Sequence, residues 1–343
     1  MRYALCALRV DWNRVMDEAI LKLLREQPSA FVSGEEISRE LNVSRTAIWK
    51  RMKSLRASGY EIEASRRLGY RLIRSPDLLT PSEIKPLLKT KRLGKVIHYF
   101  RSIGSTNAEA YRLALRGASE GEVVIAESQE KGRGRLGRNW FSPPLLNLYL
   151  SVILRPPIPP HQASLMTLMA AVATAQGIEE FSGLHPVIKW PNDILVKNRK
   201  VAGLLNEIHS ETDRIHFLIL GIGVNLNMDG RMFSKEIRDV ATSLKMEMGK
   251  AISRKDFVRR LLEILEKWYE VFLKEGGKAI LEAWKERAQI RGKQVKVSSF
   301  GETLVGRAID VDSEGRLILE TETGEQRRVV AGDVEYLKKV NDQ

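Results

Sequence analysis

The hydrophobic texture of this chain changes twice, near Pro81 and at Arg291-Gly292, and no single repeating architecture accommodates all three textures. The first stretch carries capped helical patterns. The second alternates apolar strands with helices, and the third drops to a period of two broken by turns. A length of 343 residues suits two or three domains, and 43% hydrophobic residues supply a sizeable core. The predicted fold class is therefore multidomain α+β.

Residues 16–27 read as an amphipathic helix with Ile20, Leu21 and Leu24 at core spacing. Met16 opens that pattern, so residues 1–15 are expected to be an N-terminal extension, or Met16 the translation start. The apolar residues before it are interrupted by Arg2, Arg9 and Asp11 and do not make a signal peptide. Ser33-Gly34-Glu35-Glu36 reads as a capping box opening a short helix to Leu41, and Ser44 can cap a second helix from Arg45 to Ala57. Ile48, Met52 and Leu55 form its inner face. Arg45, Thr46, Trp49, Lys50 and Lys53 point outward, flanked by Arg51 and Arg56.

From Glu61 to Ile73 the chain is strand-like, with Arg66 and Arg67 at a hairpin tip. Cations dominate from Ser44 to Arg74, where Glu61 and Glu63 are the only anions. The predicted unit is a winged helix-turn-helix over 16–76, with its second helix in a major groove and Arg66 and Arg67 near phosphates. A solvated basic face, or a dimerising three-helix unit, is the plainer alternative. Ser75-Pro76-Asp77 reads as a linker.

A net charge of +13 and a pI near 9.7 suggest anionic partners. Cys6 is the only cysteine, which excludes an internal disulfide and a thiolate-rich metal site and fits a cytoplasmic protein. The most apolar later stretch, Phe217 to Leu226, is too short to span a bilayer, so no membrane association is expected.

In the middle texture, a strand from Val96 to Phe100 runs into Ser105-Thr106-Asn107 at the start of a helix. That placement suits a neutral polar ligand, and equally an ordinary N-cap. A strand from Val123 to Glu127 leads through Ser128-Gln129 into Gly132-Arg133-Gly134-Arg135-Leu136-Gly137-Arg138, followed by Asn139-Trp140-Phe141-Ser142-Pro143. Glycines that reach positive φ, interleaved with planar guanidinium forks, make a loop suited to closing over an anion. Neither a P-loop nor a dinucleotide fingerprint matches its spacing, and a solvated basic turn or an Arg-Gly segment contacting RNA nonspecifically is the plainer alternative. Without a ligand such a loop is expected to be mobile.

Lys189-Trp190-Pro191-Asn192-Asp193 forms a polar turn between two strands, where an ammonium could serve as a point charge on an acyl-phosphate. Strands at 200–205 and 218–226 carry Gly203, Gly221 and Gly223, whose backbone a ligand could approach.

The order and intervals of these motifs, with Gly221-Ile222-Gly223-Val224-Asn225, resemble the biotin protein ligases. With the winged helix in front, the chain resembles their bifunctional type, which also represses the biotin operon. The resemblance covers roughly residues 16–338. It implies activation of biotin by Mg2+-ATP to biotinyl-5′-AMP, then transfer to a lysine of the biotin carboxyl carrier domain of acetyl-CoA carboxylase or a similar enzyme.

It also implies site roles. Ser105, Thr106, Asn107 and Gln129 would take the ureido end of biotin, with Gly203 and Gly221 lining its site. Arg133, Gly134 and Arg135 would cover the carboxylate and α-phosphate, and Lys189 would sit at the reacting oxygen. Arg135 and Lys189 are the catalytic pair it implies. Arg135, Arg138, Trp140, Asn192, Lys200 and Asn225 would form the ATP side. No side-chain nucleophile and no protein-held metal are required. Leu136 stands where arginine is common in the family, leaving the loop one charge short. Operator DNA would be bound by a homodimer formed with biotinyl-AMP. A lipoate–protein ligase and a non-catalytic, biotin-sensing repressor remain alternatives.

Lys255 to Ile290 is strongly helical, with Leu261, Leu262, Ile264, Leu265, Trp268 and Tyr269 in apolar positions. Beyond it, Val295 and Val297 alternate with polar residues, and turns fall at Ser299–Gly301, Asp312–Gly315 and Thr323–Gly324. This predicts a small β-barrel, and the resemblance implies an SH3-like C-terminal domain over 291–338 behind a central α/β-layer catalytic domain over 80–290. A passive cap and a role in ATP or carrier binding are equally open for it.

Overall fold

The computed structural model describes residues 12–299 and 302–337. Cys6, residues 1–11 of the expected extension, residues 300–301 of the expected turn and residue 338 lie outside the described residues. The chain divides into two compact units between Leu87 and Leu88.

The first unit holds α1 (Trp12–Glu26), α2 (Gly34–Leu41), α3 (Arg45–Ala57), the antiparallel hairpin β1 (Glu61–Ser65) and β2 (Gly69–Arg74), and α4 (Pro81–Ile84). Helix α1 already includes Trp12–Val15, four residues before the expected start, so the apolar pattern marks where its buried face begins and not where the helix does. Ile20, Leu21, Leu24, Ile37, Ile48, Met52, Leu55 and Ile62 close the core.

Ser33 caps α2 by accepting from Glu36 N at 3.0 Å, and Ser44 caps α3 by accepting from Ala47 N at 3.2 Å. The expected capping box is half made: the Glu36 carboxylate accepts from Gln27 Nε2 instead. Gly69, at φ +107°, lets the wing touch Val32, whose carbonyl lies 2.1 Å from where a Cβ would stand. Past the expected linker, Glu83 is buried. It accepts from Tyr60 Oη at 2.7 Å and pairs with Arg25, fastening α4 to this unit.

The second unit is built on β3 (Ile97–Phe100), α5 (Thr106–Leu115), β4 (Val123–Ala126), β5 (Leu148–Leu154), α6 (Ala163–Ser182), β6 (Val187–Lys189), β7 (Asp193–Val196), β8 (Arg199–Ser210), β9 (Ile215–Val224), α7 (Leu244–Met248), α8 (Arg254–Glu275) and α9 (Gly277–Arg287). Its seven-stranded sheet has the order β3-β4-β5-β9-β8-β7-β6, parallel only between β3 and β4. Every residue of β5 is buried, so both faces of the sheet are covered at its centre. One face packs on α5 through Val124, Ile153, Phe217 and Ile219. Helix α6 packs along β6–β8 and against α8 and α9.

The expected single helix over 255–290 is broken: Gly276, at φ +75°, ends α8 and starts α9. Beneath the end of β4, Glu127 and Arg254 form a fully buried ion pair at 2.7 Å. Strands β10 (Gln294–Ser299), β11 (Glu302–Val311), β12 (Leu317–Glu320), β13 (Gln326–Val329) and β14 (Asp333–Tyr336) follow as an antiparallel sheet of order β13-β12-β11-β10-β14, cored by Val295, Val297, Ala308, Leu317, Leu319 and Val329. The molecule is thus a multidomain α+β protein with a winged helix at its front and a β-rich domain at its end. Among the described residues, no helix is long and apolar enough to cross a membrane.

Candidate active site

A cavity of about 770 Å³ opens over β6–β9, and every residue singled out for substrate or nucleotide binding lines it. At one end lies a nearly closed polar network. Gln129 Oε1 accepts from Thr106 N at 2.8 Å and Thr106 Oγ1 at 3.0 Å, while its Nε2 donates to Ser142 Oγ at 3.0 Å. Fully buried Ser151, which sequence reading missed, donates to Asn107 Oδ1 at 2.6 Å. Asn107 Nδ2 donates to Glu207 Oε2 at 2.8 Å, so both ends of this amide are engaged within the protein.

The glycines on the cavity wall also make room for neighbouring side chains. A Cβ on Gly221 would meet Asn107 Oδ1 at 2.2 Å. A Cβ on Gly223 would meet the Trp140 ring at 2.7 Å, and one on Gly203 would meet it at 3.0 Å. Gly203 and Gly223 face each other across β8 and β9, so they form a flat floor on which the Trp140 indole lies. Its buried Nε1 has no hydrogen-bond partner.

The loop is a compact turn: Gly134 N donates to Arg138 O at 2.7 Å and Trp140 N to Gly132 O at 2.9 Å. Arg135 crosses the cavity, donating to Asn192 Oδ1 at 3.1 Å and Gly332 O at 3.2 Å. Burial pushes its guanidinium below the ordinary value, and Asp333 and Asp193 act against that. Arg138 pairs with Asp333, and Arg133 lies 3.6 Å from Glu207. Leu136 holds φ +53° with its side chain exposed, and borders a second cavity on the loop's far side rather than the first.

At the other end, Lys189 closes β6 before the cis Trp190–Pro191 bond. Asn192 Nδ2 donates to Leu204 O at 2.7 Å, and Asn225 Nδ2 to Thr242 O at 3.0 Å. Lys200 pairs with Asp193 at 2.6 Å and stands 5.4 Å from the Trp140 ring centre. Sequence reading also missed the wall from the C-terminal sheet, where Lys293, Asp333 and Tyr336 border the cavity. Residues 233–241 enter it too, and no periodicity marked them. No group of three or more His, Cys, Asp or Glu side chains among the described residues could hold a metal ion.

In the first unit, Arg45, Thr46, Trp49, Lys50 and Lys53 are exposed on α3, and Arg66 and Arg67 at the wing tip. Arg51 turns away to bond Asp17 at 2.7 Å, and Arg56 donates to Ile62 O at 2.9 Å, so these flanking cations serve the fold.

Family profiles match three regions: "HTH domain" at 17–71, "Biotin/lipoate A/B protein ligase family" at 99–225 and "Biotin protein ligase C terminal domain" at 291–336. The bifunctional ligase/repressor BirA of Bacillus subtilis is 40% identical over 316 residues, 92% of this chain and 97% of that protein. Its Escherichia coli namesake is 31% identical over 84% of this chain and 88% of its own length. The Aquifex aeolicus biotin protein ligase in complex with biotin and ATP superposes with a TM-score of 0.61 at 27% identity, covering 71% of this chain and all of that one.

Proposed function

The chain belongs to the biotin protein ligases of the bifunctional ligase/repressor type, and from that premise we propose how its cavity performs the two-step reaction. Biotin seats its ureido group at Ser105, Thr106 and Gln129, framed from behind by Asn107 and Ser151. ATP lies toward Trp140, Lys200, Asn192 and Asn225. The biotin carboxylate oxygen bonds the α-phosphorus as the α–β phosphoanhydride bond breaks, and the electron pair leaves on pyrophosphate. Two anions must approach, and Arg135, Arg138 and Lys189 offset the repulsion and stabilise charge on the α-phosphate. The carrier lysine amine then attacks the acyl carbon, forming the amide and releasing AMP.

What carries this reading is that a nearly neutral polar end and a cationic end share one cavity, with the Gly/Arg loop between them. Asp193 and Asp333, the carboxylates on its wall, are already paired with Lys200 and Arg138. Mg2+ would enter with the nucleotide, where it neutralises phosphate charge.

The exposed face of α3 and the wing bind operator DNA, and biotinyl-AMP orders the loop and favours a homodimer that spans a palindromic site. A reaction that consumes ATP, in a chain that binds an operator, suits the cytoplasm. The test is transfer of labelled biotin to a purified carrier domain with Mg2+-ATP, in competition with lipoate. Transfer that lipoate outcompetes, or no transfer, would refute the reading.

A further inference from the structure

Three cations on the cavity wall make no direct ion pair among the described residues, although Asp333 and Asp193 act on Arg135 from farther away. Lys200 pairs with Asp193, Arg138 with Asp333, and Arg133 lies near Glu207, whereas Arg135, Lys189 and Lys293 have no ion-pair partner among the described residues. Lys189 and Lys293 come from different parts of the fold, the end of β6 and the residue before β10. Both ammoniums nonetheless stand over one ring, 5.5 Å and 4.8 Å from the centre of Tyr336. The Tyr336 hydroxyl is buried without a hydrogen-bond partner, and burial pushes its pKa up to about 12, so the ring stays neutral.

An aromatic face attracts an ammonium, but two like charges gathered at one ring repel each other unless an anion joins them. The backbone of Lys293 is held in place, with its N–H donating to Ile290 O at 3.1 Å and its carbonyl accepting from Ala308 N at 2.9 Å. Residues at the start of β14 receive the loop: Gly332 O takes Arg135 and Asp333 takes Arg138. The end of the C-terminal sheet thus gathers cations from the loop, from β6 and from β10.

We propose that Lys293 is a phosphate-binding residue of the adenylation step, holding the β- and γ-phosphates of ATP that depart as pyrophosphate. This rests on the biotin-activation reading above. Charge grows on the departing oxygen as the α–β bond breaks, and a positioned ammonium stabilises it. Lys189 serves the α-phosphate and Lys293 the leaving group, both beside the Tyr336 ring. Lys293 then acts in the first half-reaction and not in the second, because pyrophosphate has left before the carrier lysine attacks.

Lys293→Gln and Lys293→Arg, compared with wild type in three assays, test this. The assays are biotinyl-AMP formation from biotin and Mg2+-ATP, exchange of labelled pyrophosphate into ATP, and biotin transfer from preformed biotinyl-AMP to a carrier domain. Losing one charge-assisted contact in Lys293→Gln is expected to raise the KM for ATP roughly tenfold and slow exchange by a similar factor. Lys293→Arg recovers most of this, and transfer from preformed biotinyl-AMP stays close to wild type. Lys278→Gln, an exposed cation outside the cavity lining, controls for net charge. Equal losses in both half-reactions, no loss in either, or the same loss in Lys278→Gln would overturn the proposal. A wild-type protein that forms no biotinyl-AMP would instead overturn the reading beneath it.

Discussion

Arg138 of the Gly/Arg loop pairs its guanidinium with the carboxylate of Asp333, the first residue of β14. The pair ties a glycine-rich turn to a strand of the C-terminal sheet. It is solvent-screened, with Arg138 70% exposed, so a ligand phosphate can replace the carboxylate cheaply. Asp333→Asn is therefore expected to loosen the ligand-free loop. Limited proteolysis mapped by mass spectrometry should show faster cleavage within residues 132–138, with protection restored by biotinyl-AMP. Cleavage at the wild-type rate would mean that other contacts hold the loop.

Gly221 gives Asn107 its place. A methyl group there would overlap Asn107 Oδ1 and force the amide off Ser151 and Glu207. Gly221→Ala is expected to weaken biotin binding by at least about tenfold, some 1.4 kcal/mol, in titration calorimetry. ATP binding should change much less.

Glu247 fastens the nucleotide side, accepting from Thr242 Oγ1 at 2.6 Å and pairing with Lys197 and Arg199. Burial alone would raise its pKa, but the hydrogen bonds from Thr242 and Lys197 and the charges of Arg199 and Lys197 outweigh it and hold the carboxyl below its ordinary value. A depressed folded pKa stabilises the fold above the unfolded value, and that contribution is lost as pH falls through the folded one. Glu247→Gln is expected to cost about 2 kcal/mol at pH 7. In denaturant titrations the gap from wild type should narrow below about pH 4.3. A pH-independent gap would assign the cost to packing.

Much of the site was legible because its signals are local. Ser33 and Ser44 as caps, the outward face of α3 and the Gly/Arg loop each lie within a few residues of chain. Other features depend on distant partners. Gly203 and Gly221 read as room for a ligand, and nothing local shows that Trp140 and Asn107 also stand against them. Lys293 and Tyr336 are ordinary residues alone, and meet Lys189 only when β10 and β14 pair beside the catalytic sheet. Trp12–Val15 extend α1 without apolar periodicity, and Gly276 breaks a helix whose hydrophobic period runs on past it.

Biotinyl-AMP is expected to convert monomer to dimer at micromolar protein in sedimentation velocity, and to raise operator affinity. Lys53→Ala should weaken binding to all DNA sequences alike and reduce the salt slope by about one. An unchanged monomer with bound adenylate would contradict the dimer.

The most direct measurement is formation of labelled biotinyl-AMP from biotin and α-labelled Mg2+-ATP, with wild type, Arg135→Ala and Lys189→Ala matched for folding by thermal melting. Wild type is expected to accumulate bound biotinyl-AMP, and each variant to lose at least about a hundredfold in rate, as removal of a charge-stabilising group does. No adenylate from wild type, or wild-type rates from both variants, would contradict the assignment of this cavity as the site of biotin activation.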